Sequence, residues 1–226
     1  MVQIIIPAAG RGKRFENSIY IEPKPLIKWN NKNMIEHVVD NFRGESKIVL
    51  ICRKEHNIHL ESIDKLEIDY TTDGPATSVF LAKHLVDPES ELIITNCDQI
   101  IKDWNQDQFL NFARKFDGVL GCFISNSPKN SFVKINEENH VIEVKEKIVI
   151  SNLATNGLHY WKKAKYFFES YDEMTKNNDR TNGEFYVAPT YNYLINKDYK
   201  IGIYMFNQHF PIGTPEDLKN FLENEN

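Results

Sequence analysis

Positions 2–6 are apolar apart from Gln3 and stop at Pro7 and a glycine-containing loop, the pattern of a strand buried on both faces of a parallel sheet. Positions 34–42 then space their apolar residues at helical intervals, and 47–52 are again strand-like. Strand, helix and strand in that order predict α/β construction. A short strand is expected at 68–71, a helix from Pro75 through about Leu85, and a buried strand at 91–95 that ends on Asn96, Cys97 and Asp98. From Asp117 the texture changes. Segments 118–124, 131–136 and 140–146 alternate between short polar breaks, with Asn136-Glu137-Glu138-Asn139 as a hairpin turn, so this stretch is predicted to be rich in strands. Helical spacing returns at 163–174, a strand is expected at 200–206, and a last helix opens at Pro215 with Thr214 as its cap. In open α/β sheets ligands bind beyond the carboxyl ends of the strands, where the loop after residue 6 and Asp98 both fall.

Composition narrows the function more than the fold. The 226 residues, 41% hydrophobic, suffice for one core with a small lobe, and no repeat or low-complexity linker divides them, so a single domain is expected over residues 1–226. A net charge of −5 supplies no general positive field. That argues against nucleic acid or an anionic membrane as partner and leaves any phosphate ligand to a local basic cluster. Cys52, Cys97 and Cys122 are odd in number and widely spaced, which favours reduced core thiols over a disulfide framework or a zinc site. No apolar run approaches the about 18 residues of a spanning helix, and the first residues lack a basic segment and a cleavage site. A cytoplasmic protein, neither secreted nor membrane-spanning, is therefore expected.

The local cluster is Pro7-Ala8-Ala9-Gly10-Arg11-Gly12-Lys13-Arg14-Phe15. Small residues at Ala8, Ala9, Gly10 and Gly12 let backbone N–H groups approach phosphate oxygens, and Arg11, Lys13 and Arg14 supply charge-assisted hydrogen bonds to the same anion. The loop matches neither Gly-x-x-x-x-Gly-Lys-Ser/Thr nor Gly-x-Gly-x-x-Gly, so it reads as an anion cradle of another kind.

This loop, followed at short spacing by Glu22-Pro23-Lys24-Pro25-Leu26, resembles the paired signature of the GT-A-like nucleotidyltransferases, a family that includes the sugar-1-phosphate pyrophosphorylases. The resemblance implies a Rossmann-like three-layer α/β/α sandwich with a mixed, mainly parallel sheet. It also implies a nucleotide-binding half at about 1–116 and a small β-rich acceptor lobe within about 117–226. Thr72-Asp73-Gly74-Pro75-Ala76 resembles the segment that reads the base, giving Asp73, Gly74 and Ala76 to the nucleotide. Asn96-Cys97-Asp98 resembles the segment whose aspartate holds Mg²⁺. On the acceptor side, Glu143-Val144-Lys145-Glu146-Lys147 offers Lys147, with Lys145 as a substitute and Ile148 where the family has proline. Ala154-Thr155-Asn156-Gly157-Leu158 offers Asn156 and Gly157, and Asn182-Gly183-Glu184-Phe185-Tyr186 offers Glu184. Phe210-Pro211-Ile212-Gly213-Thr214-Pro215-Glu216-Asp217 resembles the closing motif, with Pro211 where many members have a second metal-binding aspartate.

The implied reaction joins an NTP to a phosphorylated small molecule and releases pyrophosphate, with Arg14, Lys24 and Asp98 as the catalytic set. A sugar 1-phosphate leads as acceptor on the matches at 154–158 and 213–217, whereas cytidylyl transfer to a non-sugar alcohol phosphate uses the same loop logic. A GT-A glycosyltransferase stands further off, because position 96 is Asn and no Asp-x-Asp motif is formed there. A catalytically silent nucleotide sensor is suggested only by Pro211. The base stays open. Self-association as a homo-oligomer is common in the family, and no fused acyltransferase domain is expected.

Overall fold

The computed structural model describes residues 1–16, 18–42, 44 and 46–224. In chain order the first half contains β1 (Val2–Ala8), β2 (Lys28–Trp29), β3 (Lys32–Asn33), α1 (Met34–Asp40), β4 (Ser46–Arg53), β5 (Asp64–Ile68), α2 (Pro75–Leu81), β6 (Leu92–Ile94), β7 (Gln99–Ile101) and α3 (Gln106–Ala113). The second contains β8 (Gly118–Ile124), β9 (Ser131–Ile135), β10 (Val141–Glu146), β11 (Leu153–Trp161), α4 (Ala164–Lys176), α5 (Tyr191–Ile195), β12 (Ile201–Met205), β13 (His209–Pro211) and α6 (Pro215–Glu223).

Nine strands form one mixed sheet in the order β10-β9-β11-β6-β1-β4-β5, with β8 beside β11 and β12 beside β8. β1 runs parallel to β4 and β6, and β12 runs parallel to β8, while β11 is antiparallel to its neighbours. Side chains alternate across β1, so Ile5 joins a core with α2, α4 and α5 on one face, and Ile4 and Ile6 join a core with α1 and α3 on the other. Helices on both faces complete the expected three-layer sandwich.

A third, smaller core positions the basic loop. Phe15, Ile27, Trp29 and Met34 pack there against Ile212, Leu218 and Phe221, so β13 and α6 buttress the segment that follows β1. The cap of α6 is formed as expected: Thr214 Oγ1 accepts from the Asp217 amide at 3.1 Å, with Pro215 in the first turn. Thr214→Ala should lower stability by about 1 kcal/mol. In a chain of this size that is a fall of about 2–4 °C in Tm by thermal unfolding.

Two expected boundaries are corrected. The strand placed at 68–71 lies instead at Asp64–Ile68, and its buried residue is Ile68 while Asp64, Lys65 and Glu67 are exposed. It is the edge strand of the sheet, so a single apolar anchor suffices and the polar half hides the pattern. The helix expected from Pro75 to Leu85 is α-helical only to Leu81 and tightens into a 3₁₀ turn over Ala82–Leu85. β11, α3 and α5 have no counterpart among the expected elements. Asn136–Asn139 does turn, with Asn136 Oδ1 accepting from the Glu138 and His140 amides at 3.1 and 2.9 Å.

β11 decides where a ligand can enter. Its first half pairs with β9 through Ala154 and Phe132, its second half pairs with β6 through His159–Trp161, and the register against β8 breaks between Thr155 and His159. The sheet therefore forks beside Asn156 and Gly157, opposite the carboxyl end of β6. A crevice at such a divergence, outside strand carboxyl ends, is where α/β sheets take ligands.

Candidate functional site at the carboxyl edge of the sheet

The loop after β1 is held by one apolar anchor and leaves its polar groups to solvent. Phe15 is buried at 4% exposure and closes a 3₁₀ turn over Lys13–Phe15, its amide bonding the Gly12 carbonyl at 2.8 Å. Gly10, Arg11, Lys13 and Arg14 are exposed, and the amides of Gly10, Arg11 and Gly12 make no hydrogen bond among the described residues. Unpaired amides beside three cations are the ingredients of an anion nest. Arg11 Nε donates to Thr71 Oγ1 at 2.8 Å, which ties the loop to the segment holding Asp73, Gly74 and Ala76.

Lys24 arrives from a second segment. Its stem lies so close to Gly12 that a methyl group added there would meet Lys24 Cβ at 3.1 Å, and its ammonium sits 5.8 Å from the centre of the Phe15 ring. From there Lys24 Nζ donates to Asp98 Oδ2, with the two side chains 14% and 24% exposed. Burial alone would raise the Asp98 carboxyl, but Lys24 and Arg14 hold it below the usual carboxylate range. Burial works to lower the Lys24 ammonium, yet Asp98 keeps it above its ordinary value. Cys97, between them in sequence, is pushed up to about 12 by burial and by Asp98, so it stays a thiol and is no nucleophile.

Arg14 completes this group: an added methyl at Gly213 would meet Asp98 Oδ2 at 2.9 Å and Arg14 Nη1 at 3.7 Å. The closing segment thus covers both groups with backbone only. Two neighbouring segments after β1 and a distant one after β6 bring Arg14, Lys24 and Asp98 together.

The acceptor candidates form two groups, Asn156 with Gly157 on β11, and Lys147 with Glu184 through Tyr186. Gly157 faces Asn96, whose side chain fills the space a methyl at Gly157 would need. Asn156 is buried, its Oδ1 accepts from the Leu158 amide at 3.0 Å, and its Nδ2 has no partner among the described residues. β10 ends on buried Glu146, which accepts from Ser131 Oγ, and burial pushes its carboxyl above the ordinary range. Lys147 follows with φ 57°, donates Nζ to the Tyr186 hydroxyl and lies 4.2 Å from that ring's centre. Tyr186 in turn donates to Glu184 Oε2 at 2.7 Å. The alternation of β10 buries Val144 and Glu146 and exposes Lys145, which pairs with Glu143 at 3.5 Å. Lys147 and not Lys145 is therefore joined to Glu184.

In the base segment, Asp73 is paired with Arg180 at 2.9 Å, buried Gly74 abuts Phe185, and the Ala76 amide donates to the Phe185 carbonyl at 3.0 Å. Residues not singled out from sequence also enter the site. Tyr186 bridges Lys147 and Glu184. His209 lines a cleft of about 230 Å³ with Phe123, Ile124, Met205, Phe206 and Asn207. It stands two residues before Pro211 on β13, the same face by strand alternation, and this spacing was its only sequence signal.

No group of three or more His, Cys, Asp or Glu residues that could hold a metal ion occurs among the described residues. No helix among them is long and apolar enough to cross a membrane.

Comparison with known proteins agrees with this geometry. Residues 4–115 match the family described as MobA-like NTP transferase domain. The bifunctional protein GlmU of Methanocaldococcus jannaschii is 27% identical over 222 residues, which cover 95% of this chain and 52% of that protein. The chain thus spans about half the length of this curated relative. A nucleoside-diphosphate-sugar pyrophosphorylase from Vibrio cholerae RC9 superposes with a TM-score of 0.84 at 26% identity, over 97% of this chain and 99% of that one. The inositol-1-phosphate CTP transferase from T. maritima shares the fold, with a TM-score of 0.71 at 16% identity over 98% and 93% of the two chains. With the basic loop, the Pro-Lys-Pro-Leu segment and the aspartate after β6 converging on one edge of this sheet, residues 4–115 carry a nucleotidyltransferase domain of the MobA-like type, and the chain as a whole is similar in fold to a nucleoside-diphosphate-sugar pyrophosphorylase.

Proposed function

We propose that the chain transfers a nucleoside monophosphate from an NTP to a phosphorylated small molecule, with a sugar 1-phosphate as the leading acceptor, and releases pyrophosphate. The observation that carries this reading is the convergence of Arg14, Lys24 and Asp98 beside a loop with unpaired amides. An acceptor phosphate oxygen attacks the α-phosphorus in line, a new P–O bond forms, and the bond to the pyrophosphate oxygen breaks. Both reactants are anions, so the protein acts by positioning and charge and needs no protein nucleophile.

In this reading Ala8, Ala9, Gly10, Arg11, Gly12 and Lys13 cradle the triphosphate, and Asp73, Gly74 and Ala76 frame the base. Arg14 and Lys24 stabilise charge at the transferred phosphoryl group, while Lys147, Asn156, Gly157 and Glu184 face the acceptor. Residues 1–116 serve as the nucleotide half and 117–226 as the acceptor half.

The family in general uses a divalent metal, and Mg²⁺ fits what Asp98 offers: a carboxylate held ionised by neighbouring cations and still 24% exposed. One carboxylate with phosphate oxygens and waters is an ordinary Mg²⁺ environment, so Pro211 is compatible with it. When bound, Mg²⁺ would supply charge neutralisation at the phosphates.

The test is pyrophosphate release with Mg²⁺ from CTP, UTP, GTP, dTTP and ATP against a panel of sugar 1-phosphates and alcohol phosphates. Release with a sugar 1-phosphate is expected. Release with an alcohol phosphate alone would move the acceptor class, and tight nucleotide binding with no release across the panel would contradict the transferase reading.

A further inference from the structure

We propose that Arg180 is a positioning residue that couples the nucleotide segment at 73–76 to the acceptor turn at 182–186, so that filling the first orders Glu184 in the second. This rests on the functional reading above and adds to it a link between the two subsites.

Glu184 is presented by a tight turn. Asn182 and Gly183 both adopt left-handed backbone, φ 49° and 84°, and the amides of Thr181 and Glu184 bond each other's carbonyls at 3.0 Å. Asn-Gly is the pair that a two-residue hairpin turn of this type favours, because both central residues need positive φ. Arg180 enters this turn with all three donor groups engaged inside the protein. Nε donates to Asn178 Oδ1 at 2.8 Å, Nη1 to the Gly183 carbonyl at 2.9 Å and Nη2 to Asp73 Oδ2 at 2.9 Å. The guanidinium carbon also lies 4.0 Å from the centre of the Phe185 ring. With each of its three nitrogens bonded inside the protein and one face covered, Arg180 braces the two segments.

Two backbone bonds cross the same seam: the Phe185 amide to the Asp73 carbonyl at 2.7 Å, and the Ala76 amide to the Phe185 carbonyl at 3.0 Å. Asp73 is 62% exposed, so its ion pair alone would contribute little. The guanidinium bonds, the ring contact and the backbone bonds share one seam, however, and such a network is worth more than the ion pair taken alone. From Glu184 the chain of contacts continues through Tyr186 to Lys147. A nucleotide that fixes Asp73 and Gly74 thereby restricts the turn that carries Glu184. By linkage an acceptor that fixes the turn tightens the nucleotide site equally.

The experiment is hydrogen–deuterium exchange by mass spectrometry on the full chain with Mg²⁺ and each of the five NTPs in turn, comparing wild type, Arg180→Ala and Arg180→Lys. In wild type the nucleotide that binds should slow exchange in peptides covering 72–77 and also in peptides covering 182–187, the latter by roughly fivefold or more. Arg180→Ala should keep the first protection and lose the second. Arg180→Lys, which retains the charge but not the fork, should fall between. Peptides from β4 report whether each variant remains folded. Equal protection of 182–187 in wild type and Arg180→Ala, or protection confined to 72–77 in wild type, would overturn the coupling alone. Absence of protection at 72–77 with every NTP would overturn the nucleotide reading and the coupling with it.

Discussion

Asp98→Asn is expected to lower turnover by roughly 10²–10³-fold while leaving the protein folded. The substitution keeps the shape of the side chain and removes its charge. Two consequences follow at once. The site loses the carboxylate available to a divalent cation, and Lys24 loses the partner that holds its ammonium. Removing one member of a fully buried pair costs several kcal/mol, but here the two side chains are 14% and 24% exposed. Water screens part of the loss, so about 1–2 kcal/mol of stability is expected, a fall of a few degrees in Tm. Activity is therefore hit far harder than stability. Steady-state pyrophosphate release with a parallel thermal melt separates the two, and turnover within threefold of wild type would remove Asp98 from the catalytic set. Because Lys24 and Asp98 touch, Lys24→Ala combined with Asp98→Asn should cost less than the sum of the single losses.

Gly74→Ala is expected to destabilise the protein by about 3 kcal/mol, lowering Tm by roughly 6–12 °C, and to weaken nucleotide use with it. The residue has φ 118°, where a side chain is strained, and an added methyl would meet the Phe185 carbonyl oxygen at 2.5 Å and its nitrogen at 2.7 Å. Those neighbours are backbone atoms fixed by bonds to Asp73 and Ala76, so they cannot give way without opening the seam. Gly10→Ala is the contrast: nothing lies within 4 Å of the added methyl, so its stability should stay within about 0.5 kcal/mol of wild type. Thermal unfolding of both variants beside wild type checks the pair. Equal Tm values would contradict the close packing of 73–76 on 184–185.

What was legible in the sequence was local. β1 and β4 carry the apolar runs 4–6 and 48–52 because both faces of the sheet are covered, and the cap and proline of α6 sit side by side in the chain. β11 went unread because Asn156 and Gly157 interrupt its apolar pattern, and that interruption is where the strand changes partners and the site opens. α5 spans only Tyr191–Ile195, too short for a helical period to repeat. The site divides in the same way. The basic loop and Lys24 lie close together along the chain and could be found by inspection. The pairing of Lys24 with Asp98 spans 74 positions and that of Arg180 with Asp73 spans 107, and no local pattern encodes such contacts. Asn182-Gly183 did carry a turn signal, and the structure places Glu184 on that turn, outside any helix.

The most direct measurement follows the phosphorus. The NTP and acceptor pair that releases pyrophosphate is supplied in two forms, one labelled at the α-phosphate and one at the γ-phosphate, and the products are separated. Nucleotidyl transfer predicts that the α label moves to a diphosphate-linked product containing the acceptor, while the γ label leaves entirely in pyrophosphate. A γ label found on the acceptor, or an α label left in free nucleoside mono- or diphosphate, would contradict the account.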